Sequence, residues 1–271
     1  MASISIQPFD ERHFPAALRL SREAGWPHGP EDWALSLRLS QGWVALDGDV
    51  VVGTALLTPF GPDLGTVNMV IVDAERRGQG IGGRLFRQAL AAGDRRSLRL
   101  VATPEGQPLY ARRGFEARGP IQRHEGLARA PAPTLARLEG HEALDEIAAL
   151  DALASGGDRR AMLEEILRIG TLATLRREGR LAGFGLRRPF GGRQVIGPVI
   201  APAAEDARDI VCALCAGTEG PLRIDVPADG ALAPWLPQIG LPHHGGGLAM
   251  RLGPERGEAA ALQALASQAF G

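Results

Sequence analysis

Asp73-Ala74-Glu75-Arg76-Arg77-Gly78-Gln79-Gly80-Ile81-Gly82-Gly83 is the stretch on which the reading of this sequence turns. It follows an apolar run of strand length, residues 66–72, and leads into 84–92, where Leu85, Phe86, Ala89 and Leu90 share one helical face. The order is strand, glycine-rich loop, helix. The glycines remove side chains that would keep the backbone from a ligand, and the helix points its first unpaired N–H groups into the loop. Such a place attracts phosphate. Loop amides and helix dipole favour a pyrophosphate, each charge-assisted hydrogen bond contributing ~1.5–3 kcal/mol.

Gly78, Gly80 and Gly83 also satisfy the G-x-G-x-x-G fingerprint of doubly wound dinucleotide folds. In those folds the first glycine follows its strand almost directly inside a βαβ unit. Here the charged stretch 73–77 intervenes and the strands upstream form hairpins, which disfavours that reading.

Working upstream, residues 42–46 and 50–57 are apolar runs joined by Asp47-Gly48-Asp49, a strong hairpin signal. Helical patterns fill 14–24 and 30–39, separated by the loop Gly25-Trp26-Pro27-His28-Gly29-Pro30, and Ile4-Ser5-Ile6 opens an extended segment. Downstream, 98–102 is a strand and 107–113 a short helix stopped by Gly114, with Phe115 opening another extended segment. The order βααβββαβαβ emerges within a one-domain length.

Ala130-Pro131-Ala132-Pro133 then breaks any regular element. Beyond it the order recurs, with helices over 143–154 and 159–169, strands over 171–176, 181–186 and 195–200, and a helix over 204–216. A strand over 222–226 and a short helix over 233–238 follow. The chain reads as a divergent tandem repeat with domains 1–128 and 134–271. Residues 258–270 have the pattern of a terminal amphipathic helix docked on the second domain.

The pattern Arg77-x-x-Gly80-x-Gly82, after an apolar strand and before an amphipathic helix, resembles the acetyl-CoA loop of the GNAT (GCN5-related N-acetyltransferase) superfamily. Leu109-Tyr110-Ala111-Arg112-Arg113-Gly114-Phe115 lies where that family has its second motif. The resemblance covers the N-terminal half well, while the C-terminal half is similar to a degenerate copy of the same fold; bacterial tandem GNAT proteins are the nearest comparison. The implied fold class is α+β, two tandem GNAT-like domains, each a mixed, mostly antiparallel sheet flanked by helices.

By the same resemblance, the backbone of Val70, Ile71 and Val72 pairs with the pantetheine arm of acetyl-CoA, and Arg77, Gly78, Gln79, Gly80, Ile81, Gly82 and Gly83 hold its pyrophosphate. The implied activity is acetyl transfer to a primary amine of a small-molecule or peptide acceptor. Tyr110, the one tyrosine of the chain, takes the place of the proton donor to the departing thiolate. An aromatic residue there could equally pack against the sheet. The N–H of Val72 is the implied oxyanion donor. Asn68 stands where many relatives have a glutamate base, and an amide cannot accept that proton, so it could only orient a water. His28 and Asp32 are alternative bases, and Trp26 and Trp33 are candidates for the acceptor pocket or for a packing cluster. A binding module that senses acetyl-CoA without catalysis stands as the second reading.

The C-terminal half departs from the pattern. In place of the glycine loop it has Pro202, Glu205 and Asp206, which offer one N–H fewer and repel a phosphate, and in place of Tyr110 it has Leu236. It is expected to be inactive and to shape or cover the acceptor cleft of the first half.

Composition narrows the rest. Thirty basic residues against thirty-one acidic leave a formal charge of -1, no global field for nucleic acid or anionic lipid. The start of the chain has no basic region before an apolar stretch, and no apolar run reaches membrane length, so the expected location is the cytoplasm, as monomer or homodimer. Cys212 and Cys215, three apart in a helical stripe, read as buried apolar side chains. His243-His244 before three glycines reads as a turn or surface loop and not a metal site, because adjacent residues of an extended chain point apart. No metal is expected.

Overall fold

Pro30 begins a helix because its fixed φ suits a first turn and its missing N–H is not needed there. The Asp32 carboxylate caps that turn by accepting the Gly29 N–H at 2.9 Å. Local signals of this kind lay out the first half as β1 (Ile4–Pro8), α1 (Phe14–Glu23), α2 (Pro30–Leu39), β2 (Gln41–Asp47), β3 (Val50–Phe60), β4 (Leu64–Val72), α3 (Ile81–Gly93), β5 (Ser97–Ala102), α4 (Gln107–Ala111) and β6 (Glu116–Gly126). The second half has β7 (Arg137–Glu139), α5 (Leu144–Ser155), α6 (Arg160–Ile169), β8 (Thr171–Arg177), β9 (Arg180–Phe190), β10 (Arg193–Ile200), α7 (Ala204–Cys215), β11 (Leu222–Pro227), β12 (His243–Leu252) and β13 (Leu262–Ala264). These elements come from a computed structural model that describes residues 4–140, 143–257 and 261–271.

β3 is buried along most of its length because helices cover both of its faces. On one face Trp33, Leu56, Met69 and Ile71 pack with α1 and α2. On the other, Leu57 and Val67 meet Phe86 and Ala89 of α3. Burying each large apolar side chain here contributes roughly 1.5–3 kcal/mol. The second half repeats the arrangement, with α5 and α6 over Phe184 and Leu186 and with α7 over Ile196 and Val199. The halves meet where Leu35 of α2 joins the α6 cluster and Arg38 pairs with Glu165 at 2.9 Å. The fold is α+β, with a mixed, mostly antiparallel sheet and helices on both sides.

Among the described residues the strands form one sheet in the order β1-β2-β3-β4-β5-β12-β6-β11-β10-β9-β8-β7, with β13 added beside β10. The halves have exchanged their last strands. β12, from the second half, pairs with β5 of the first, and β6, from the first, pairs with β11 of the second. β6 and β12 also pair with each other at the centre.

Three expectations need correction. Residues 243–247 are not a turn but the start of β12, where Gly246 and Gly247 leave room for carbonyls on both flanks: a Cβ at Gly246 would fall 1.8 Å from the Ile121 oxygen, and one at Gly247 2.8 Å from the Ala102 oxygen. Of the expected helix over 258–270, residues 258–260 lie outside the described residues, and the rest is β13 followed by turns, because its backbone pairs with β10. The short helix over 233–238 is a 3-10 turn at Leu236–Ile239. Among the described residues no helix is long and apolar enough to cross a membrane.

Candidate active site

The site begins with a kink in β4. Met69 has φ +49°, a left-handed conformation costly for a residue with a side chain, and the register with β3 shifts around it. The Thr54 hydroxyl donates to the Met69 carbonyl at 2.7 Å and holds the bulge. β4 pairs with β5 only from Leu64 to Thr66, so the two strands part beyond that point. Asp73 N–H donates to Val52 O at 2.9 Å, and by the alternation of an antiparallel ladder the neighbouring Val72 N–H points away from β3, into the opening.

At the head of the opening the glycine loop enters α3. Gly78 and Gly80 have φ +77° and +74°, conformations that glycine adopts without strain, and nothing lies within 4 Å of where their side chains would be. Gly82 and Gly83 lie in the first turn of α3, beside Val72 and Leu109, where a Cβ would make only ordinary contact. The first bond of the helix runs from Arg84 N–H to Gly80 O at 3.1 Å, which leaves the N–H groups of Ile81, Gly82 and Gly83 without a protein acceptor among the described residues. Loop, β4 and α4 enclose one cavity of about 1180 Å³. Six arginines line it, against Glu23 and Glu105. Three are engaged with protein: Arg76 with Asp47 (2.6 Å), Arg77 with Val72 O (3.4 Å) and Arg84 with Ile4 O (2.8 Å). Arg87, Arg112 and Arg113 have no partner among the described residues.

Tyr110 lines the same cavity. Its ring also packs on Phe86 and Phe115, with centroids 4.8 and 6.3 Å away, and Gly106 has no side chain because a Cβ would lie 2.8 Å from that ring. Burial pushes the phenol up to about 12, so it is protonated at neutral pH. Tyr110 thus packs on its neighbours and lines the cavity at once.

Val70, Ile71, Val72, the loop from Arg77 to Gly83, Tyr110 and Trp26 therefore share one cavity. Asn68, His28, Asp32 and Trp33 do not line it. Asn68 is buried; its amide donates to the Thr58 hydroxyl at 2.9 Å, and its Oδ1 has no partner among the described residues. Trp33 is wholly buried, stacked on Phe9 and bonded to Ser21 at 2.8 Å, a packing residue. Asp32 is held by Gly29, Gly191 and Arg188. His28 stands beside Trp26 with its Nδ1 sealed and unpartnered among the described residues, and burial, then Arg223 and Arg188, push it down to about 3. An imidazole so placed is neutral at physiological pH. Glu23, within the cavity, is paired with Arg19 at 2.8 Å.

Arg188, Phe190 and Gly191 of the second half approach His28 and Asp32, and no local pattern in the chain marks them for it. Cys212 and Cys215 are free thiols on α7, and burial pushes them up to about 11 and about 12, which keeps them unreactive. Among the described residues no group of three or more His, Cys, Asp and Glu could hold a metal ion.

The second half has the same opening. β10 pairs with β11 only from Gln194 to Ile196, and the strands part beyond it. There β13 enters: it pairs with β10 at Val199 and Ile200, and Leu265 N–H donates to Asp225 O of β11 at 2.9 Å. By register with the preceding strand, Val199 and Ile200 correspond to Ile71 and Val72.

Comparison with known proteins agrees with this doubled geometry. The Acetyltransferase (GNAT) domain family matches residues 38–117 and again residues 147–261. The chain is 31% identical over 231 residues to the uncharacterized N-acetyltransferase YitH of Bacillus subtilis (strain 168), covering 81% of this chain and 80% of that one. Among solved structures, one assigned provisionally as an acetyltransferase of Pyrococcus horikoshii superposes with TM-score 0.86 at 22% identity, over 100% of this chain and 97% of its own. A tandem GNAT protein from the clavulanic acid biosynthesis pathway superposes with TM-score 0.64 at 18% identity, over 93% and 100%. The chain belongs to the GNAT acetyltransferase superfamily and carries the domain twice, in tandem.

Proposed function

We propose that the chain transfers an acetyl group from acetyl-CoA to a primary amine, using the cavity of its first half. The observation that carries this is the single cavity in which unpaired helix-start amides, a strand opening and a buried, protonated phenol come together. The amides of Ile81, Gly82 and Gly83 suit the diphosphate. The unpartnered Arg87 lies six residues along α3, about 9 Å by helical rise, and with Arg112 and Arg113 suits a separate phosphate such as that on the CoA ribose. The open edge of β4 suits an amide-bearing arm.

In the reaction the amine nitrogen bonds to the thioester carbonyl carbon, and the Val72 N–H stabilises the charge that grows on its oxygen. As the carbon–sulfur bond breaks, Tyr110 supplies a proton to the thiolate. The proton lost by the amine restores the phenol, so N-acetyl amine and free thiol leave together. The paired carboxylates Glu23 and Asp32 are poor candidates for a base, so the amine is proposed to arrive neutral.

A sensor that binds acetyl-CoA without turnover is the second reading, favoured by Asn68 at the usual position of the base. Titration calorimetry with acetyl-CoA is expected to give one site per chain. Thiol release with tyramine, spermidine, glucosamine and an alanyl dipeptide is expected for at least one amine. Binding without thiol release would favour the sensor; absence of binding would end both readings.

A further inference from the structure

Besides the exchanged strands and the α2–α6 contact, the second half grips the first at the loop of residues 25–29, between α1 and α2. Trp26 on this loop lines the cavity and His28 lies beside it. Against the loop stands the turn between β9 and β10. One carboxylate ties them: Asp32 Oδ2 accepts the Gly29 N–H and the Gly191 N–H, both at 2.9 Å, while Oδ1 accepts from the Arg188 guanidinium at 3.0 Å. Both side chains of the ion pair are nearly inaccessible, 2% for Arg188 and 4% for Asp32. Gly191 is fitted to the loop, since it has φ +53° and a Cβ would fall 2.2 Å from the Pro27 carbonyl oxygen. The His28 ring stands edge-on to Phe190 at 5.2 Å, and Arg188 and Arg223 lie 5.2 and 5.0 Å from the centre of that same ring. Arg223 is itself fixed by two bonds to Asp225, at 2.9 and 3.0 Å.

A buried ion pair is close to neutral in stability, because desolvation offsets attraction, so simple strengthening of the junction explains it poorly. Its geometry explains it better, because a carboxylate that accepts three directed bonds fixes the start of α2 relative to β9. We infer that Arg188 and Gly191 are positioning residues: the second half, through them, sets where Trp26 stands at the acceptor side of the cavity, with His28 beside it. This rests on the acetyl-transfer reading for the word acceptor, though the clamp itself does not.

The test uses full-length Arg188→Met, Arg188→Lys and Gly191→Ala. Hydrogen–deuterium exchange at the Gly29 and Trp33 amides is expected to rise about tenfold or more in the Met and Ala variants, with peptides over 81–93 unchanged. Acetyl-CoA affinity is expected to stay within about twofold, while KM for the fastest amine of the panel rises about tenfold and kcat changes much less. Arg188→Lys, which keeps the charge, is expected to fall between Met and wild type. Unchanged exchange at Gly29 and Trp33, an equal rise over 81–93, or a rise without a change in amine KM would each overturn the inference. If Arg188→Met does not fold, Gly191→Ala decides. Failure of the wild type to bind acetyl-CoA or to use any amine would sink the functional reading and leave the exchange comparison standing.

Discussion

Between β4 and β5 the sheet opens onto a cavity of about 1180 Å³, whereas between β10 and β11 the matching opening is closed by β13. In both halves the parallel pairing lasts only three residues before the strands part. What differs is at the mouth. In the first half two glycines with positive φ lead into α3 and its unpaired amides face the opening. In the second, α7 begins with Glu205 and Asp206, and Asp206 is bonded to Arg177 at 2.6 Å. A strand opening is thus a place for any extended chain with amides to pair. Which chain takes it depends on whether the helix beyond offers free N–H groups to an anion, or acids that repel one.

The contrast between the halves fails most visibly if the chemistry can be moved from one to the other. Tyr110→Phe is expected to lower kcat by ~10²–10⁴ with acetyl-CoA affinity nearly unchanged. Tyr110→Phe combined with Leu236→Tyr is expected to recover nothing, since Leu236 is wholly buried beside a filled opening. Two acetyl-CoA molecules per chain in a titration would contradict the whole contrast.

A smaller effect separates the two anion stations. Replacing Arg87, Arg112 and Arg113 together by alanine is expected to weaken acetyl-CoA binding by about tenfold and to flatten its salt dependence. The same variant is expected to bind the 3′-dephospho cofactor as wild type does. An equal loss for both cofactors would move those arginines to the diphosphate.

The last expected effect concerns acid and develops gradually with pH. In the folded chain His28 is pushed down to about 3, so the unfolded chain takes up that proton first. Stability is therefore expected to be indifferent to this group above about pH 6.5 and to fall as the pH drops from there toward 3, by at most about 1.4 kcal/mol per unit. Urea midpoints of wild type and His28→Gln between those limits would check it; parallel curves would refute the assignment.

Much of this is legible in the chain. The hairpin at Asp47-Gly48-Asp49, the face of Leu85, Phe86 and Ala89, and the loop from Arg77 to Gly83 declare themselves because their causes are local. The strand exchange does not, since nothing in residues 243–252 says which edge they will join. Gly245-Gly246-Gly247 reads as a turn for the same reason that it works as a strand: missing side chains permit a left-handed backbone and also permit crowding by two neighbours. Leu262, Leu265 and Phe270 keep helical spacing, yet the unsatisfied edge of β10 claims that backbone. At the site, Tyr110 and the glycine loop can be named from spacing, whereas Asp32 is available in the sequence until Arg188 and Gly191 arrive from far along the chain.

The crossing of β6 and β12 has a consequence for synthesis. The edge of β5 waits for a partner on the order of 150 residues later, so the first half cannot complete its sheet while it alone has left the ribosome. Until then it exposes a bare strand that neighbouring nascent chains could capture. Genes cut at the proline-rich joint should therefore yield two fragments that are poorly behaved apart and regain order only when mixed.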